Sequence, residues 1–180
     1  MDAVTHCPPF DTVLGLRFAC SSKRYGVRMR DFTADEDRLW RTLMRLNGAL
    51  PRLLDDDLRG SGLTLSEFAI LLVLSEAEDG ELWMSGLASA AGLSPSRTTR
   101  VVADLERRGF AEKLRSRFDA RSAVTRVTKP GRDAVRKAYP IQVDRAREVL
   151  FDHLDSAQVR DAADTLEPFL RRVRELSRPS

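Results

Sequence analysis

The sequence predicts a mainly α-helical protein that carries one small β-hairpin. Three observations predict it. Leucine-rich apolar residues recur at helical spacing towards both ends of the chain. Two shorter helical segments, joined through Gly92, lie near the middle. Two short extended runs, 110–115 and 123–128, come directly after them. A length of 180 residues suits one domain with appended helices, and 42% hydrophobic content suffices for a core. No apolar run approaches the roughly 18 residues that span a bilayer, so no membrane role is expected. The N-terminus lacks the ordered regions of a signal peptide, which makes a cytoplasmic protein the default.

Residues 1–31 carry a Pro-Pro pair, a short apolar run and Ser-Ser-Lys-Arg, without periodicity. They read as a poorly ordered extension, or as an over-long start with Met29 as the initiator. From Asp35 onward, Leu39, Leu43, Leu46, Leu50, Leu53, Leu54 and Leu58 recur as a helical stripe. Asp35, Glu36 and Asp37 suit the positive end of that helix. The stripe serves either the protein's own core or a partner helix. Pro51 should kink or break it, and Asp55-Asp56-Asp57 reads as a solvated end.

Thr64 precedes Glu67 by the three residues of a capping box, so a helix begins there, with Phe68, Leu71, Leu72 and Leu74 towards the core. Asp79-Gly80 ends this unit in a turn, and Trp83 packs just ahead of the next helix. Ser85 is placed to cap that short helix, which bears Leu87, Ala88 and Ala91. Gly92 supplies a left-handed turn. Ser94 caps a second helix, with Pro95 at the first position, where a missing N–H costs nothing. Short helix, glycine turn and second helix form a helix-turn-helix pattern.

On the second helix, Thr98, Val101, Val102 and Leu105 make an apolar stripe. Arg97, Arg100, Asp104 and Arg108 make another, about 100° around the axis. Arginine pairs bidentately with guanine, and hydroxyls reach bases or phosphates. Arg97, Thr98, Thr99 and Arg100 are therefore candidates for base edges at the end of the helix that enters a major groove. Ser94 and Ser96 are candidates for phosphate contact. Gly109 closes the helix. The hairpin tip, SRFDARS over 116–122, is basic. Arg115, Arg117 and Arg121 suit phosphates or a narrow minor groove, and Asp119 is spaced to hold Arg121. Residues 83–129 hold ten Lys/Arg against four Asp/Glu, whereas 61–82 hold five acids and no bases, so positive charge is concentrated where the helix-turn-helix lies.

Thr128-Lys129-Pro130-Gly131-Arg132 opens a further helical region, which Pro140 interrupts. Asp155 or Ser156 caps a last helix with Val159, Leu166, Phe169, Leu170, Val173 and Leu176 as apolar positions, and Pro168 should bend or divide it. Cys7 and Cys20 fit no C-x-x-C pattern, and His6 and His153 stand alone, so no metal site or cofactor is expected. No nucleophile–base pair or phosphate-binding glycine loop is present in the sequence, which argues against an enzyme.

With these pieces in order, the chain resembles the MarR family of bacterial transcriptional regulators over about residues 35–175. The resemblance is carried by LTLSEFAILLVLSEA, WMSGLASAAGLSPSRTTRVVADLERRGF, the DAR tip and VTKPGR. It implies a winged helix-turn-helix flanked by N- and C-terminal dimerisation helices. On that reading 1–31 is the extension, 32–60 the first dimerisation helix, 61–129 the DNA-binding domain and 130–176 the C-terminal dimerisation helices. A homodimer would place two recognition helices on a pseudo-palindromic double-stranded operator with half-sites about 10 bp apart. Many relatives are repressors released by a small aromatic or phenolic ligand, and Trp40 is the candidate to stack on one, or else a dimer-core aromatic. Two alternatives stand beside this reading: a redox-sensing regulator using Cys20, and a winged helix used for protein contact. Thr125 departs from the family, whose second wing strand is usually apolar there.

Overall fold

The computed structural model describes residues 32–115 and 123–177, with side chains undescribed at Arg115 and Ala123. The backbone clusters into two compact units that divide between Leu50 and Pro51. Helix α1 (Ala34–Leu58) opens on a capping box beyond those expected from the sequence. Thr33 N donates to Glu36 Oε2 at 2.7 Å, and Glu36 N donates to Thr33 Oγ1 at 3.3 Å. In the first unit this helix exposes Leu39, Trp40, Met44, Leu46 and Leu50.

The second unit is organised around α2 (Leu65–Glu76), whose predicted Thr64–Glu67 capping box is formed. Its sequence, LSEFAILLVLSE, is apolar nearly all round, which is the pattern of a helix enclosed by neighbours. Phe68, Ile70, Leu71 and Leu74 are buried there. They meet Leu87 of α3 (Met84–Ala90), Val102 and Leu105 of α4 (Pro95–Arg107), and Val135 and Ala138 of α5 (Lys129–Val149). Each large side chain removed from water in this way contributes about 1.5–3 kcal/mol. Helix α6 (Ser156–Leu176) is capped by Asp155, one of the two residues expected, in a capping box with Gln158, but buries none of its residues.

The two hairpin strands are β2 (Ala111–Arg115) and β3 (Ala123–Val127), joined by a third that the sequence does not predict. Strand β1 (Glu81–Trp83) pairs antiparallel with β3, giving the order β1-β3-β2. Three residues are too few to show a period, so only the pairing reveals them. Trp83 consequently lies on an edge strand, 44% exposed, rather than packed against the helix-turn-helix.

Other expectations need correcting. Ser85 does not cap α3; the helix begins two residues earlier than such a cap would allow, with Trp83 at the cap position and no side-chain cap bond. Pro51, Pro140 and Pro168 lie inside α1, α5 and α6 without ending them. All three are exposed, so water can satisfy the carbonyls they leave unpaired. The Asp55-Asp56-Asp57 run is not merely solvated. Asp55 Oδ1 accepts from Leu65 N at 2.7 Å, Asp56 pairs with Arg59, and Asp57 receives two bonds from Arg145 at 2.6 and 2.9 Å. No single helix among the described residues is long and apolar enough to cross a membrane.

Candidate nucleic-acid interface

The turn between α3 and α4 is built by local chemistry. Gly92 has φ +67°, and Leu93 N reaches back to the Ala88 carbonyl at 3.0 Å, closing α3 in a Schellman turn. Ser94 then turns the chain into α4: its Oγ accepts from Arg97 N at 3.3 Å, and Pro95 occupies the first helical position. Helix α4 is seated by its inner face, on which Thr98, Val102 and Leu105 are completely buried. Gly109, with φ +71°, closes it, and Phe110 N bonds the Leu105 carbonyl at 2.9 Å.

What remains outward is Ser94, Ser96, Arg97, Thr99 and Arg100, all exposed on the first turns of α4. Ser94 Oγ and Ser96 Oγ lie 3.2 Å apart, and Thr99 Oγ1 donates to the Pro95 carbonyl at 3.0 Å. No acidic residue lies in the first turn, where backbone N–H groups and the helix dipole favour an anion.

Thr98 must be removed from the set of base contacts. It has no exposed surface, and its hydroxyl donates to the Ser94 carbonyl at 3.0 Å inside the packed face. Helical geometry explains this: Thr98 falls with Val102 and Leu105, at spacings of four and seven residues. Arg108 also leaves the outward stripe, because its guanidinium turns back to Glu67 and the Gly62 carbonyl, both at 2.7 Å.

Ion pairing separates the basic residues by role. Arg107 pairs with Asp104, Arg108 with Glu67, Lys113 with Glu106, and Arg126 with Glu81 and Glu112. Arg97 and Arg100 make no ion pair with any described residue. The Arg126 pairing crosses all three strands, at the register position where Glu81, Arg126 and Glu112 stand side by side. Its hydrogen bond to Glu81 raises the guanidinium above its ordinary pKa against the opposing effect of burial. Neither this triad nor the Thr125 hydroxyl, which donates to Met84 Sδ at 3.2 Å from a fully buried position, was legible without β1.

Arg115 closes β2, while Arg117, Asp119 and Arg121 lie outside the described residues. Trp40 lies on α1 in the other unit, 51% exposed, with its ring centroid 6.3 Å from that of Phe32. Among the described residues no group of three or more His, Cys, Asp or Glu side chains is placed to hold a metal ion.

Comparison with known proteins agrees with this architecture. A sequence model of the MarR family matches residues 61–122, from the turn before α2 to the end of the hairpin tip. The transcriptional repressor MprA of Escherichia coli K12 is 30% identical over 115 residues, covering 64% of this chain and 65% of MprA. The match thus spans just under two thirds of that relative. AbsC, a MarR family transcriptional regulator from Streptomyces coelicolor, superposes with a TM-score of 0.75 at 29% identity, covering 82% of this chain and 99% of AbsC. Sco3205 from the same organism, solved in complex with DNA, gives 0.72 at 29% identity, covering 84% of this chain and 93% of Sco3205. Motif order, winged-helix topology and these likenesses converge: the chain is similar to MarR family transcriptional regulators in fold and, over residues 61–122, in sequence.

Proposed function

We propose that the protein is a sequence-specific, double-stranded DNA-binding transcriptional regulator that acts as a repressor in the cytoplasm. The observation that carries this reading is the pair Arg97 and Arg100. They stand exposed and without ionic partners at the N-terminal end of α4, while the neighbouring basic side chains are engaged within the fold. Ser94, Ser96 and Thr99 flank them as phosphate or base contacts, with Arg115, Arg117, Asp119 and Arg121 completing the surface from the wing. A DNA-bound relative of the same topology supports the same assignment.

The operator is read by a homodimer. Helix α6 leaves Leu166, Phe169, Leu170, Val173 and Leu176 about half exposed or more, and α1 separately exposes Leu39, Trp40, Met44 and Leu46. Apolar stripes of this extent call for a partner surface. A second reading adds an effector: exposed Trp40 beside Phe32 offers a face on which a small aromatic ligand can stack. Quenching of tryptophan fluorescence by such a ligand, absent in Trp40→Leu, is the expected sign.

Fluorescence anisotropy on a duplex from the gene's own upstream region tests the main reading. Tight, competitor-resistant binding that weakens steeply with salt is expected. Binding that is equally weak on every duplex, including the tightest one selected from a random-sequence library, would overturn it.

A further inference from the structure

Arg108 holds the far end of the recognition helix. It caps α4, yet it does not follow Arg97 and Arg100 outward. Its guanidinium donates to Glu67 Oε1 and to the Gly62 carbonyl, each at 2.7 Å, and lies 4.6 Å from the centroid of the Phe110 ring. Glu67 is 8% exposed, and its other oxygen accepts from Thr64 N at 2.8 Å and Thr64 Oγ1 at 3.0 Å. The next amide, Leu65 N, donates to Asp55 on α1 at 2.7 Å. The end of α4, the start of α2 and the end of α1 are therefore joined through a short series of charge-assisted contacts.

We infer that Glu67 and Arg108 are positioning residues for DNA recognition, setting the angle at which α4 presents its N-terminal turn. This rests on the DNA-binding function proposed above. Arg97 lies about 16 Å along the axis from Arg108, at 1.5 Å per residue, so a tilt of roughly 10° about the clamped end moves Arg97 by about 3 Å. That exceeds the tolerance of a base-edge hydrogen bond. Phosphate contacts made by flexible arginines and a general positive field tolerate such a shift far better. The clamp accordingly governs discrimination between sequences more than affinity for DNA as such. Glu67 needs the guanidinium in return, since a nearly buried carboxylate without a cation is costly.

The sign of the charge change makes the inference testable. The variants are Glu67→Gln, which preserves size and keeps one acceptor oxygen, enough for the Thr64 cap without the charge, and Arg108→Met, which keeps an unbranched apolar side chain. Each is measured by anisotropy on the tightest duplex selected by the unmodified protein from a random-sequence library, and on a scrambled duplex of equal length. Simple electrostatics predicts that Glu67→Gln, having lost a negative charge, binds both duplexes more tightly. The clamp predicts the opposite on the selected duplex: about a tenfold loss, the size of one lost base contact, with scrambled binding unchanged or stronger. Arg108→Met should lose a similar factor of selectivity, and the double variant little more than either single one.

An unchanged selectivity ratio in both variants overturns the inference. So does an equal loss on both duplexes in Arg108→Met with no effect of Glu67→Gln, which makes Arg108 a phosphate contact. If Glu67→Gln loses its native circular dichroism spectrum, Arg108→Lys serves instead. It keeps the charge but cannot fork to both acceptors, so lost selectivity supports the clamp and full selectivity refutes it. If the unmodified protein selects no duplex, the DNA-binding reading fails by itself. The clamp is then judged by amide hydrogen exchange at Gly109 and Phe110: faster in both variants if it holds α4, unchanged if it does not.

Discussion

Thr98 and Arg100, two residues apart, show how sharply one helix separates a packed face from an exposed one. Thr98 is sealed beneath α4, and the Ser94 carbonyl it bonds also receives the Thr98 amide at 2.9 Å. Removing the hydroxyl leaves that carbonyl paired. Thr98→Val is therefore expected to cost about 1 kcal/mol or less in chemical denaturation and to leave DNA discrimination intact. Arg100→Ala should leave stability unchanged and, if Arg100 reads a guanine, cost about 1–3 kcal/mol of binding and relax preference at one base pair. Equal weakening on every sequence would identify a phosphate contact. The outward arginines were legible in the sequence because helical periodicity alone separates two faces. Thr98 was harder, because a hydroxyl suits either a base edge or a bond to the preceding turn, and only burial decides.

At the scale of elements, the junction of hairpin and α5 leaves no room for a side chain at Gly131. Thr128 caps α5 by accepting from Gly131 N at 3.2 Å, and its hydroxyl donates to the Gly109 carbonyl at 2.7 Å. A Cβ at Gly131 would stand 2.1 Å from the Phe110 carbonyl oxygen, which is backbone and cannot step aside. Gly131→Ala should consequently destabilise by about 2 kcal/mol or more, read as a lower denaturation midpoint. Ser94→Ala at the start of α4 should cost about 0.5–2 kcal/mol through the lost cap. Capping signals were partly legible: Thr64 and Ser94 perform as their spacing suggests, and Asp155 is the one of the two candidates, with Ser156, that caps α6, whereas Ser85 does not cap α3. None of the three prolines breaks its helix, because an exposed proline removes one hydrogen bond whose carbonyl water can satisfy.

For the whole molecule, the exposed apolar stripes of α1 and α6 predict the assembly state. Analytical ultracentrifugation should find a dimer, and Phe169→Glu with Leu170→Glu should yield monomers that bind a two-half-site duplex far more weakly. A monomer with full operator affinity would sink that assignment. Ion pairs within the second unit should add little pH sensitivity from their basic side. The hydrogen bond to Asp57 raises the Arg145 guanidinium above its ordinary value. A raised folded-state pKa contributes stability that is fully present below the unfolded value and is lost only on the strongly alkaline side.

The sequence by itself determined the order of helices, the glycine turn, the Thr64 and Ser94 caps and the outward arginines. Each of these depends on neighbours within a few residues, where spacing and backbone chemistry suffice. Tertiary structure alone decided the third strand, the burial of Thr125 and the turning inward of Arg108. It also decided the conversion of Asp55 and Asp57 from solvated charge into brackets between helices. These depend on partners 10 to 88 residues away, such as Leu65 for Asp55 and Arg145 for Asp57. Whether a charge faces water or a distant counter-charge is set by packing, which periodicity does not encode.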